Sequence, residues 1–263
     1  MSPAVDEIQV EGSSWADPLA EATRVVEAAR ADGVAIRVTG GVAVAMLCQS
    51  ARRQPLSRAY QDIDFAVRGR DADPVERVFT ALGYEPEEEF NVLHGQRRLF
   101  FLDRSQDRQA DVFLDKIEMC HQLDLRDRLE RLEATLTPAD LLLSKLQVFE
   151  TNNKDYLDMV ALLTDLPLTE RDDRGIDLAR LREICGGDWG WWKTATLVAG
   201  RLRQFAEELC SRHPEMDAAV VGHVDTLLDE LEHMPKSRKW KLRARVGERV
   251  RWHELPEDID HSE

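Results

Sequence analysis

Arg37-Val38-Thr39-Gly40-Gly41-Val42-Ala43-Val44-Ala45-Met46, followed after a polar interval by Asp62-Ile63-Asp64-Phe65-Ala66-Val67, is the stretch on which the reading of the fold turns. The first piece reads as the end of a strand, a Gly-Gly turn and a helix. A helix that opens at such a turn presents free N–H groups and the positive end of its dipole to whatever lies ahead. Glycine lets the backbone come close, and a phosphate suits such a place. In the second piece Asp62 and Asp64 alternate with Ile63 and Phe65. Side chains along a strand alternate between faces, so both carboxylates share one face and the apolar residues take the other. Two carboxylates on an apolar strand repel each other and lose hydration. A hard divalent cation offsets that cost. Mg²⁺ takes a few carboxylate oxygens and completes its shell with water and substrate phosphates.

Working outward, Gln109-Ala110-Asp111-Val112-Phe113-Leu114 reads as another strand with one carboxylate among apolar residues. Set beside the first strand, it brings Asp111 to Asp62 and Asp64 near the Gly-Gly turn. Thr137-Pro138 opens a helix whose centre holds Lys145 among leucines, and a lysine on a buried face needs a partner or an anion. Lys154, Asp155 and Asp158 on the next helix form either a surface ion pair at helical spacing or part of the site. Arg58, four residues before Asp62, either touches phosphate or is a solvated loop residue. His94 and His121 carry no signal. The sequence holds no zinc-like Cys/His spacing, no GxxxxGK[ST] loop and no local Ser-His-Asp signature.

Gly40-Gly41, Asp62-Ile63-Asp64 and Ala110-Asp111-Val112, in that order, resemble the DNA-polymerase-β-like nucleotidyltransferase superfamily. The Lys145 helix and the run Asn153-Lys154-Asp155-Tyr156-Leu157-Asp158 resemble its AbiEii-type branch, which includes bacterial toxin and abortive-infection proteins. The resemblance runs from about Val34 to Leu163. The interval from Gly41 to Asp62 is longer than usual there, which makes 49–60 an insertion.

That resemblance implies a transfer of a nucleoside monophosphate from an NTP to an acceptor hydroxyl. Asp62, Asp64 and Asp111 would hold two Mg²⁺ ions ~3.5–4 Å apart, with Mn²⁺ as a substitute. Asp111 would also help deprotonate the acceptor. Gly40 and Gly41 would cradle phosphates with Thr39 adding a hydroxyl. Lys145 would meet the triphosphate or an acid of the site, and Arg58, Lys154 and Asp158 would lie at the nucleotide. The acceptor is left open among RNA or a tRNA end, a protein hydroxyl and a small molecule, and an antitoxin is a possible partner. Two other readings stand beside this one: a non-catalytic nucleotide-sensing or partner-binding module with the same fold, and an antibiotic-type small-molecule nucleotidyltransferase. A wide cleft lined by the basic tail would favour RNA, and a narrow acidic cleft a cationic drug.

Composition sets the outer bounds. The 263 residues are 43% hydrophobic, enough for one large or two modest packed domains. No apolar run approaches the ~18 residues of a membrane span, and the first residues do not read as a secretion signal. Cys48, Cys120, Cys185 and Cys210 are scattered, which fits reduced thiols and a cytoplasmic location. The net charge of −15 argues against a protein that coats nucleic acid indiscriminately. The charge is polarised, however: between Lys236 and Arg251 eight basic residues face the single acid Glu248.

The expected architecture is α+β, a small mixed sheet with helices on one side followed by an α-helical bundle. The expected divisions are a flexible stretch 1–15, a nucleotidyltransferase core 16–136, a helical domain 137–235 and a tail 236–263, basic and then acidic. Within the core, Phe90–Leu93 and Arg98–Leu102 read as a hairpin around His94-Gly95, and Arg131–Leu136 reads as an edge strand. Asp165–Gly175 reads as a domain joint. Trp189, Trp191 and Trp192 read either as packing or as a stacking platform.

Overall fold

The computed structural model describes residues 14–172 and 175–254. The expected loose stretch up to residue 13 and the acidic end of the tail from 255 lie outside the described residues. Ser14 and Trp15, expected in that loose stretch, are instead tied down. The Trp15 amide donates to Glu21 at 2.9 Å, and Arg108 donates to the Trp15 carbonyl. The buried Glu21 carboxylate requires such donors, and it also takes bonds from Arg24 and Tyr84.

Helix α1 (Pro18–Ala31) starts where Asp17 accepts from the Leu19 amide and proline occupies the first turn. It buries Ala22, Val25, Val26 and Ala29 at helical spacing. The chain continues through β1 (Arg37–Thr39), α2 (Gly40–Leu47), β2 (Asp62–Val67), α3 (Ala72–Ala81), β3 (Glu85–Pro86), α4 (Glu88–His94), β4 (Arg98–Asp103) and β5 (Arg108–Leu114). These strands form one mixed sheet in the order β1-β2-β5-β4-β3. Strands β2 and β5 run parallel, and every other pairing is antiparallel. Ile63, Phe65 and Val112 point to the apolar face, where Phe79 of α3 stacks on Phe101 at 4.5 Å and meets Phe65 edge-on at 5.5 Å.

Two expectations change here. Phe90–Leu93 lies in α4 and is not a strand. Glu87 caps that helix by accepting from the Phe90 amide at 2.7 Å, and Glu88 and Glu89 sit in its first turn, where the dipole favours acids. The Asn91 side chain then meets the Phe100 backbone in place of a ladder. The hairpin is formed by β4 and β5 around Arg104–Asp107. The second expectation, an edge strand at Arg131–Leu136, reduces to a single bridge between Thr135 and Val38.

Beyond β5 a small antiparallel ribbon, β6 (Lys116–Glu118) and β7 (Gln122–Asp124), leads into the helices. These are α5 (Pro138–Leu146), α6 (Asn153–Asp165), α7 (Leu178–Gly187), α8 (Trp189–Arg212), α9 (Ala219–His233) and α10 (Arg238–Val246). Between α6 and α7, β8 (Leu168–Thr169) and β9 (Ile176–Asp177) pair in parallel across the expected joint. One hydrophobic cluster continues from Ala22 through Phe65 to Leu142, Val198 and Leu227, so the packed interior crosses residue 137 without interruption. The tryptophans pack and anchor. Trp191 Nε1 donates to the Gln122 carbonyl at 3.2 Å, and Trp192 Nε1 donates to the Leu231 carbonyl at 2.7 Å.

Candidate active site

Sheet register assembles the site. Thr39 of β1 stands opposite Asp64 of β2, and Asp64 stands opposite Asp111 of β5. Residues in register share a face, so Thr39, Asp64 and Asp111 form one row across three strands. Asp62, two residues earlier, shares that face at the exposed end of the strand.

The Gly-Gly turn is shaped by what approaches it. Gly40 has φ +64°, and a Cβ there would lie 1.9 Å from Asp64 Oδ2. A Cβ on Gly41 would lie 1.9 Å from Arg58 Nη2. The two glycines therefore admit one carboxylate and one guanidinium to the start of α2. Thr39 precedes the helix without capping it, and its buried Oγ1 has no hydrogen-bond partner.

The Asp64 side chain makes no hydrogen bond or ion pair among the described residues. Burial, then the charges of Asp111 and Asp62, push its carboxyl up to about 7. Asp111 differs. Arg98 of β4 donates to its Oδ1 at 2.6 Å, and the guanidinium lies over the Phe113 ring at 5.2 Å. Arg98 is the residue that sequence reasoning missed. Its strand was foreseen, but the β4–β5 register that carries it to Asp111 was not.

The remaining expected residues form a second cluster beneath Gly41. Arg58 grips Asp158 with two bonds, 3.0 and 3.3 Å, and lies over the Tyr60 ring at 4.4 Å. Lys145 donates to Asp155 at 2.6 Å and pairs with Asp158 at 3.0 Å. Burial alone would lower the Lys145 pKa, but Asp158 and Asp155 outweigh it and hold the ammonium charged. Burial likewise opposes the charge on Arg58, and the bond to Asp158 more than restores it. Asp158 is buried under its two cations, so it orients Arg58 and Lys145 and does not line an open surface. Lys154 is exposed and stands apart from this network. It lines a polar cleft of about 350 Å³ with Asp62, Gln61, Gln109 and Arg108.

A larger groove of about 1160 Å³ opens on the other side, beginning at Arg98 and Phe113 and reaching Trp191 and Trp252. The carboxylate row thus has a small polar cleft near Asp62 and a wide groove near Asp111. Among the described residues, no group of three or more His, Cys, Asp or Glu side chains could hold a metal ion as it stands. Compared with protein families and with curated proteins, the chain matches none. No helix among the described residues is long and apolar enough to cross a membrane.

Proposed function

We propose that the chain is a nucleotidyltransferase, moving a nucleoside monophosphate from an NTP to an acceptor hydroxyl. The observation that carries this reading is the row of Thr39, Asp64 and Asp111 at the start of α2, with Asp64 charge-repelled, unpartnered and pressed against Gly40. Such a carboxylate is costly unless a cation relieves it.

The donor set fits Mg²⁺ or Mn²⁺. Asp62 and Asp64 offer hard oxygen ligands on one face, and Asp111 adds another once it leaves Arg98. Bound there, the ions would neutralise phosphate charge and favour attack at the α-phosphorus. The α2 N-terminus would receive the triphosphate, with the buried, unpartnered Thr39 hydroxyl beside it. Lys154, exposed along the small cleft, adds a positive charge. Arg58 and Lys145, fixed by Asp158, hold the glycine turn and the acid face in register. Asp111 accepts the proton of the acceptor hydroxyl. The new bond joins the acceptor oxygen to the α-phosphorus, the bond from that phosphorus to the bridging oxygen breaks, and pyrophosphate leaves.

Incubation with each α-labelled NTP, Mg²⁺ and total RNA tests the reading, beside an Asp62→Ala/Asp64→Ala control. Label on an acceptor that vanishes in the control supports it. Intact NTP binding with no labelled acceptor of any class defeats it. One observation favours a second reading, a nucleotide-binding module without turnover: Asp111 is already neutralised by Arg98. A role as the toxin of a toxin–antitoxin pair would follow only from growth arrest on expression, relieved by a neighbouring protein.

A further inference from the structure

The groove that starts at Arg98 has features the chemistry above does not use. One wall carries Arg97 of the turn before β4, Arg98 of β4 and Lys116 of β6, and the other carries Arg251 and the half-buried Trp252, with Trp191 buried. The second wall is fastened in place. Trp252 Nε1 donates to Thr194 at 3.2 Å, the Glu254 amide donates to the Cys120 carbonyl at 3.0 Å, and His253 stacks on Phe149 at 4.4 Å. Counting Lys239, five cations share the groove with three carboxylates, Glu118, Asp188 and Glu254; Arg97 and Lys116 pair with Glu118 and Lys239 with Asp188, which leaves a positive surplus in a chain of net charge −15. Arg251 has no carboxylate partner among the described residues. Cations with aromatic planes between them are what a phosphodiester strand with stacking bases requires. A cationic small molecule would meet the wrong charge here.

We infer that this groove seats the acceptor, a single-stranded nucleic-acid end, and that a phosphate of the strand draws Arg98 off Asp111. The inference rests on the nucleotidyltransferase reading. Arg98 is a positioning residue: while it donates to Asp111 Oδ1 at 2.6 Å, that oxygen is occupied and is not open to a hydroxyl or a metal ion. A phosphate offers Arg98 a two-pronged partner of higher charge. Once Arg98 turns to it, Asp111 is free for the hydroxyl and for metal. The acceptor therefore completes the acid row by binding, and water, which brings no phosphate, does not.

Binding is read without NTP, by quenching of tryptophan fluorescence with an oligouridylate of about eight nucleotides. Heparin serves as a polyanion without bases, and an acidic peptide as a protein ligand. Arg251→Glu and Trp252→Leu should each weaken the oligomer about tenfold, whereas heparin should respond to the charge change alone. Mn²⁺ affinity, followed by electron paramagnetic resonance, reads the switch. The oligomer should tighten Mn²⁺ several-fold in the wild type, and Arg98→Ala should bind Mn²⁺ tightly from the outset with that coupling gone. Arg98→Lys, which keeps the charge, should fall between the two and serves if the alanine variant does not fold. Oligomer binding indifferent to Arg98 and Arg251, preference for the acidic peptide, or equal Mn²⁺ affinity in wild type and Arg98→Ala would each overturn the inference. Failed nucleotide transfer with the coupling intact would remove the enzyme and leave the groove.

Discussion

Asp140 and Asp64 are both carboxylates set among core residues, and they are treated in opposite ways. Asp140, at the start of α5, is fully buried and saturated. Arg128 donates to it at 2.8 Å, Arg180 at 3.0 Å and Thr137 at 2.8 Å. Asp64 has two acids for neighbours and no bonded partner among the described residues. The Arg58–Asp158–Lys145–Asp155 network belongs with Asp140: two cations balance two acids. Charge that the fold itself balances is scaffold. Charge left unbalanced beside a glycine turn is an invitation to a ligand, because Lys145 and Arg98 offset only part of the cost that burial, Asp111 and Asp62 impose.

The largest break of this contrast is at Asp140. Replacing it with alanine takes the shared carboxylate from Arg128 and from the buried Arg180, which keep Asp172 and Glu183 as partners, and should cost about 3 kcal/mol or more in urea unfolding. Asp64→Asn should do the reverse, keeping or raising stability by up to about 1 kcal/mol while abolishing Mn²⁺ binding. If Asp64→Asn unfolds the protein as Asp140→Ala does, the distinction between the two acids is lost.

Asp158→Ala comes next, at about 3 kcal/mol, because Arg58 and Lys145 lose their shared carboxylate. Its NTP affinity should fall as well, measured by equilibrium dialysis at a temperature where the variant is folded.

Gly40→Ala should cost about 2 kcal/mol from its left-handed backbone and the collision with Asp64. A double-mutant cycle sharpens the point. In an Asp64→Ala background the collision is gone, so the cost should shrink to the backbone contribution.

The last effect is absent at neutral pH and concerns a half-buried group that carries no charge there. His121 bonds Thr194 at 2.8 Å and stacks on Trp191 at 5.1 Å. Burial pushes its pKa down to about 4, with Asp188 opposing. In the unfolded chain it protonates near its ordinary value, so between about 6.5 and 4 the unfolded state holds more protons. Stability should therefore fall as pH drops through that window, and His121→Gln should flatten the decline in a Tm–pH profile.

Much of the site was legible before the fold. Asp62-x-Asp64 announced a shared face by period two, and Thr137-Pro138 announced a helix start that the structure repeats. Asp17-Pro18 did the same for α1. Lys145 was singled out because an ammonium on an apolar helix must have a partner, and it has two. Phe90–Leu93 misled because four residues cannot separate a short strand from a short helix, and the deciding signal lay upstream in Glu87, Glu88 and Glu89. The β6–β7 ribbon was too short to leave a periodicity at all.

By itself, the sequence determined which residues carry charge into apolar strands, where the helices begin, and that glycines stand at the head of α2. Those are local facts, fixed by side-chain period and backbone freedom within a few residues. Only the tertiary structure decided the pairings: that Asp64 lies opposite Asp111, that Arg98 closes on Asp111, that Asp158 serves Arg58 a hundred positions away. Strand register and helix docking bring those groups together, and both depend on the whole packed core rather than on any stretch of chain.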